Sequence, residues 1–473
     1  MPGATTSLAL HPDRLLPADP GTRAIARRLY ESVRELPILS PHGHVDSRLL
    51  LRNDPLPDPA ALLITPDHYV TRLLHASGVA LADLGLGVDR LSESQARGAW
   101  RLLCSHWDVF RGTPVRYWLE SELAEIFDVS IRPSAAASDA IYDQISECLA
   151  TAAFRPRALL ESFEVEVLAT TDDPADDLAA HAALAADTSF RPRVIPTFRP
   201  DRYLEPAAAG WRAAVDALGS AAGEDVGDYS GYLRALAARR RHFVAHGARS
   251  ADHSHLDVRT DPLPFADAAR IYRDARVGDA SAAELLSFRR SMLFEMARMS
   301  AEDGLVMTLH PAIWRNHHGP TAARFGPDTG HDIPVAAEFT DALRPLLDRF
   351  GTVAGFHLVL FTTDETVFSR EIAPLAGFYP AVFAGAPWWF LDAPDAVGRY
   401  RAAVTETAGF IRTSGFIDDT RALCSIKARH DMARRLDSGY LARLVAEHRL
   451  PEDEAATTLR ELVSVNPRRT FKL

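Results

Sequence analysis

Along the chain, short apolar runs alternate with a few polar residues and then with longer stretches whose apolar side chains return every third or fourth position. The first pattern is that of buried strands, the second that of amphipathic helices. After Pro37 the run "ILSPH" reads as a strand; "FEVEVLATTDDP" (Phe163–Pro174) repeats the plan and leads into an Ala-rich helix, and "RPRVIPTFRPD" (Arg191–Asp201) is a third case. "AHGARSADHSHLD" (Ala245–Asp257) has the placing of a fourth strand but little strand character. "GLVMTLHP" (Gly304–Pro311), "GFHLVLFTTDE" (Gly355–Glu365), "FYPAVFAGAPWWF" (Phe378–Phe390) and "SGFIDDTR" (Ser414–Arg421) complete a series of eight units. Helices are expected between them, at "PVAAEFTDALRPLLDRF" and "DAVGRYRAAVTETAGFIR" among others.

Alternation of this kind predicts an α/β chain folded as a parallel (β/α)₈ barrel of the TIM type. In that fold the active site gathers at the C-terminal ends of the strands. The polar residues that follow the runs would then converge: His42, His44, Asp172, Asp173, Arg199, His253, His310, Asp364, Trp388 and Asp419. Roughly 120 residues separate the first run from the second, against about 4–6 in an ordinary connection. That segment reads largely as helix ("PDHYVTRLLHASG", "ESQARGAWRLLCSHW", "VRYWLESELAEIF"). The expected organisation is one catalytic domain over 1–473, with a helical insertion at 45–153 forming a lid or wall over the barrel mouth.

Composition narrows the partners. The chain has 473 residues, 47% of them apolar, a formal net charge of −11 and a pI of about 5.9. It has no long basic run, which argues against a nucleic-acid or anionic-membrane surface. Cys104, Cys148 and Cys424 form neither a zinc-type pair nor a disulfide framework. The N-terminus lacks the basic and apolar regions of a secretory signal, and "FHLVLF" is too short to span a bilayer. A cytoplasmic protein is expected; homo-oligomerisation is left open.

The candidate chemistry begins at "PHGHV". On a strand, side chains at i and i+2 share a face, so His42 and His44 would stand side by side, spaced to grip one metal ion. Chance proximity in a surface loop is the alternative. A mononuclear catalytic metal takes two or three protein ligands and leaves positions open, and Asp419 in "GFIDDTR" is the choice for a carboxylate third. Its neighbour Asp418 would point into the barrel wall or back toward a helix. Asp419 as a helix N-cap, with Arg421 facing solvent, is the competing reading.

The chain resembles the uronate isomerase (glucuronate isomerase) family of the amidohydrolase superfamily. The likeness runs from end to end through "PHGHV", "DHYVTRLLHASGV", "GTPVRYWLESEL", "LATTDDPADDL", "IPTFRPD", "HFVAHGARSADHSHLDV", "GLVMTLHPAIWRN", "GPDTGHDIP", "WWFLD", "GFIDDTR" and "VNPRRTF". It implies a distorted (β/α)₈ barrel holding one divalent metal ion, zinc first and manganese second. It also implies aldose–ketose isomerisation of a hexuronate: D-glucuronate to D-fructuronate, or D-galacturonate to D-tagaturonate. Carried over residue by residue, the metal ligands fall on His42, His44 and Asp419. His68 and Tyr69 would reach the substrate from the insertion, and Arg199, Arg421 and Arg468 would hold its carboxylate and hydroxyls. Asp419, Tyr69, His68 and Arg421 are the expected catalytic residues. The pattern is broken at Pro41 and Gly43 around the histidine pair, at Phe198 before "RPD", and at "TTDETVF" after the sixth strand; these changes bear on substrate contacts.

Other residues have plainer readings. His310 is balanced between a ligand and a buried, hydrogen-bonded histidine. His253 and His255 read as polar-loop residues, Asp172 and Asp173 as helix caps, and His317 and His318 as solvated. Trp388 and Trp389 fit a sugar-stacking face or core packing equally. Two further functions compete with the isomerase. A hydrolase or decarboxylase of the same superfamily, acting on a related sugar acid, would use additional ligands such as His310. A non-catalytic sugar-acid-binding protein would hold no metal.

Overall fold

The computed structural model describes residues 7–473. Its strands, in chain order, are β1 (Ile38–Ser40), β2 (Val165–Ala169), β3 (Arg193–Ile195), β4 (Ser250–His253), β5 (Val306–Leu309), the short β6 (Ile313–Trp314) and β7 (Ile333–Pro334), β8 (Leu358–Leu360) and β9 (Val382–Ala384). β1, β2 and β3 pair in parallel, Leu39 opposite Val167 and Leu168 opposite Val194. β4, β5, β8 and β9 form a second parallel ladder, and β6 and β7 a small antiparallel pair above it. Phe198 joins the two ladders: its N–H donates to Ser250 O at 3.1 Å and its carbonyl accepts from Asp252 N at 2.9 Å. The wall is thus consistent with the expected distorted (β/α)₈ barrel, although its ladders do not close into one continuous sheet.

Where the expected eighth strand lies, the chain is irregular. Thr413 makes one bridge to Ala384, and Ser414 N donates to Ala384 O at 2.9 Å. Then Gly415 (φ 76°) and Asp419 (φ 41°) turn the backbone away from a strand path. A Cβ at Gly415 would lie 2.7 Å from Pro467 Cδ, so the helix Asn466–Phe471 presses on this segment and only glycine fits. The seam back to β1 is held by His44 N donating to Thr420 O at 3.0 Å.

β4 is the converse. Its sequence has little strand character, yet all four residues are buried. Its polar side chains find partners from β5: Thr308 Oγ1 donates to Asp252 at 2.7 Å, and His253 Nδ1 lies 3.2 Å from Thr308 O. Tertiary context overrides propensity here. Of the expected helix "PVAAEFTDALRPLLDRF", only Arg344–Phe350 is helical. Upstream, the carboxylates of Glu371 and Asp364 accept the N–H groups of Phe339, Thr340 and Ala337, satisfying the backbone without a helix.

Between β1 and β2 lie short helices, including His68–Ala76, Glu93–Ser105 and Pro114–Ser121. They start at side-chain caps: Asp67 accepts from Tyr69 N, Ser92 and Gln95 form a capping box, and Thr113 caps Pro114–Ser121. Their apolar residues Leu74, Trp100 and Trp118 share one core with Ile38 of β1, Val165 of β2 and Val359 of β8. Among the described residues no helix is long and apolar enough to cross a membrane.

Candidate active site

At the C-terminal ends of β1 and β5 and on the Asp419 segment, donor atoms of His42, His310 and Asp419 lie within 4.8 Å of one another. His44 Nε2 is 2.9 Å and His42 Nε2 3.4 Å from Asp419 Oδ1. The rings of His42 and His310 stack at 4.6 Å. Behind them, His310 Nδ1 lies 2.6 Å from Asp252 Oδ1, which orients the ring and leaves Nε2, buried and without a partner among the described residues, to face the cluster. A carboxylate fixing the far nitrogen of an imidazole is the usual support of a histidine ligand. Two or three imidazoles and one carboxylate, buried together with an orphaned acceptor, fit a divalent metal ion.

The electrostatics agree. Burial raises the Asp419 carboxyl, but His44 and His42 outweigh it and hold the group well below the usual range. Burial lowers His42 as well, yet Asp252 and Asp419 leave it raised, whereas in His44 burial wins. Asp252, between His310, His42 and Arg199, stays ionised despite burial.

Above the cluster opens a cavity of about 360 Å³. His44, Asp419, Thr420, Arg421, Arg199, Trp388 and Trp389 line it, and Asp67, His68 and Tyr69 join them from the insertion. Arg199 pairs with Asp201 at 3.1 Å and faces Asp252 at 3.5 Å. Arg421 pairs with Asp328 at 3.3 Å. Both ring nitrogens of His68 are buried without a partner among the described residues, and burial, with Arg421 adding to it, pulls its pKa down to about 3. His68 is therefore neutral. Burial pushes the Tyr69 phenol above its ordinary range, the Arg429 cation pulling the other way.

Among the lining residues not singled out from the sequence are Arg315, Asn316 and Asp328. They follow β6 or precede β7, and a strand reading that ended at His310 gave no sign that the chain folds back over the mouth. Arg315 lies 4.8 Å over the Trp389 ring and pairs with Asp332 at 3.2 Å.

Several expectations are corrected. Arg468 is not at the mouth; its Nη1 donates to Glu166 at 2.7 Å, near the start of β2 and so at the opposite end of the barrel, because the helix Asn466–Phe471 runs beneath it. Asp172 and Asp173 do not cap the following helix, whose first N–H groups are met by Asp176 and Asp177. Asp172 is instead held by Thr170 and Thr197 N, and burial pushes its pKa up to about 7. His253 is a buried strand residue at the end of β4, pulled down to about 4 by burial, and His255 lies in a loop but is buried there. Asp364 faces backbone N–H groups and not the cavity. Other expectations agree with the structure: Asp418 turns toward a helix, accepting from His430 Nε2 at 3.0 Å. His317 and His318 are exposed, as expected.

A parallel barrel with a histidine–carboxylate centre at its mouth defines an amidohydrolase-like fold with a potential metal site. Residues 21–471 match the glucuronate isomerase family, and the chain belongs to it. It is 52% identical over 470 residues to a uronate isomerase of Corynebacterium efficiens, covering 99% of this chain and 100% of that one. It also superposes on the crystal structure of a glucuronate isomerase from Caulobacter crescentus with a TM-score of 0.96 at 43% identity, covering 99% and 98% of the two chains. A uronate isomerase from Thermotoga maritima gives 0.91 at 28% identity over 98% and 99%. The enzyme is an isomerase, and neither the hydrolase nor the binding-only reading is favoured. His310, expected to mark a hydrolase, does not discriminate.

Proposed function

We propose that this protein is a cytoplasmic, metal-dependent aldose–ketose isomerase interconverting D-glucuronate and D-fructuronate, with D-galacturonate and D-tagaturonate as a second pair. The observation that carries the reading is one cavity in which Arg199, Arg315 and Arg421 surround a carboxylate–imidazole cluster. Guanidinium groups meet a carboxylate in two parallel hydrogen bonds, so the cavity suits a sugar with an acid at one end and a carbonyl at the other.

When bound by His42, His310 and Asp419 with His44 beside them, a divalent ion, zinc first and manganese second, supplies Lewis-acid polarisation of the carbonyl. Everything else falls to side chains. Isomerisation removes the C2 proton and returns one to C1, while the O2 hydroxyl proton ends on O1. Tyr69, kept protonated by burial, donates toward the oxygen that gains charge. Neutral His68 and ionised Asp419 are the acceptors in reach of the cavity. Arg421 and Arg199 hold the acid and hydroxyls, and the apolar faces of Trp388 and Trp389 take the sugar ring. The 45–153 insertion serves as the lid that brings His68 and Tyr69 over the substrate and excludes water.

Proton NMR of D-glucuronate and D-galacturonate with metal-loaded enzyme in D₂O tests this. Ketouronate signals are expected, with deuterium at C1 or C2 wherever the transferred proton exchanges. No conversion across a panel of uronates overturns the reading.

A further inference from the structure

Arg429, on the helix Ser425–Ala446, is 1% exposed and lies behind the cavity. Its guanidinium carbon stands 3.7 Å over the Trp118 ring and 4.8 Å over the Tyr69 ring, both from the insertion. On the barrel side, Nη1 donates to Asp392 Oδ2 at 2.7 Å and to the Asp418 carbonyl at 3.4 Å, and Nε donates to Ser425 Oγ at 3.2 Å. Trp118 meets Tyr69 edge to face at 5.3 Å. One planar cation thus touches the insertion on its face and the barrel along its edge, next to the residue that precedes Asp419.

Such a group is expensive to bury. A buried ion pair is often no more stabilising than apolar residues of the same volume, so the core gains little from it. What the arrangement does fix is orientation: the guanidinium's stacking face and its donor edge are rigidly perpendicular.

We propose that Arg429 is a positioning residue for the isomerisation, holding the Tyr69 side chain of the insertion at a fixed distance and angle from the Asp419 segment. This rests on the isomerase reading and on Tyr69 acting in it.

Arg429→Lys keeps the charge but loses the plane. It is expected to lower kcat on D-glucuronate by about 10- to 100-fold with KM nearly unchanged, the size of effect that loss of alignment produces. Because the effect runs through Tyr69, the same substitution in a Tyr69→Phe background should cost less than about threefold more. Equal losses in both backgrounds, or Arg429→Lys within about twofold of wild type, overturn the proposal. The charge-neutral pair Arg429→Met with Asp392→Asn, which leaves no unpaired buried charge, gives the same comparison should the single variant fold poorly. A fluorotyrosine at position 69, observed by ¹⁹F NMR, reads the ring directly: Arg429→Lys should shift and broaden its line, and an unchanged line counts against the proposal. Wild-type enzyme inactive on every uronate would overturn the isomerase reading, while the ¹⁹F line still decides whether Arg429 holds Tyr69.

Discussion

Asp419 sits in the left-handed region at φ 41°, which costs most side chains about 1–2 kcal/mol and aspartate less. The strain turns its carboxylate between two imidazoles, and strained residues of this kind gather at functional sites. His44→Ala is expected to lose bound metal and activity together while unfolding stays cooperative, as read by elemental analysis and calorimetry. His310→Gln should lose metal as well, and retention of stoichiometric metal would remove it from the ligand set. Gly43, between the two histidines, offers the opposite test. A Cβ there would meet only ordinary contacts, 3.4 Å from Ala169 O and 3.6 Å from Asp418 Oδ1, and its φ is not positive. Gly43→Ala should therefore stabilise the protein by about 0.4–1 kcal/mol in denaturant unfolding, through the reduced freedom of the unfolded chain. The histidine pair was legible as a candidate from its i, i+2 spacing, although β1 ends at Ser40 and both histidines follow it in irregular backbone, so strand geometry is not what brings them together. His310 was only half legible, since its role depends on Asp252, in a strand that does not look like one.

Among elements, the strands that read clearly are those with buried apolar runs, β2, β5 and β8. β4 was expected from its placing and not from its sequence, since a ladder satisfies its polar side chains, whereas the Asp419 segment was misread as a strand because a glycine there is pressed against a helix. Arg468 shows the limit of transferring a role along the chain, because which end of the barrel a terminal helix covers is not written in its motif. Its pair with Glu166 is partly exposed, so Arg468→Ala should leave KM for the uronate within about twofold and cost at most about 1 kcal/mol of stability. Arg421→Ala, in contrast, should raise KM strongly. The turn Glu122–Ile126 of the insertion carries a pH-dependent feature: burial, with Asp67 adding to it, pushes the Glu122 pKa up to about 8. The folded state keeps this proton while the unfolded chain gives it up above its ordinary value of 4.5. Its contribution is thus fully present below 4.5 and is lost as pH rises through about 8. Melting temperatures from pH 5 to pH 9 should fall less steeply for Glu122→Gln than for wild type, and parallel curves would refute the assignment.

At the scale of the molecule, the insertion and the barrel share one core, so the insertion cannot swing as a separate body without opening apolar contacts. The barrel's weak line lies elsewhere, where one bridge at Thr413 and one bond from His44 N to Thr420 O stand in for a strand. The two banks of that line carry His42 and His44 on one side and Asp419 on the other. A bound cation would therefore act as a rivet across the seam, and a chelator as the tool that draws it. Deuterium uptake at residues 413–421 should quicken after chelation far more than uptake in β5 or β8, and a uniform response would mean that the seam is held shut by the protein alone.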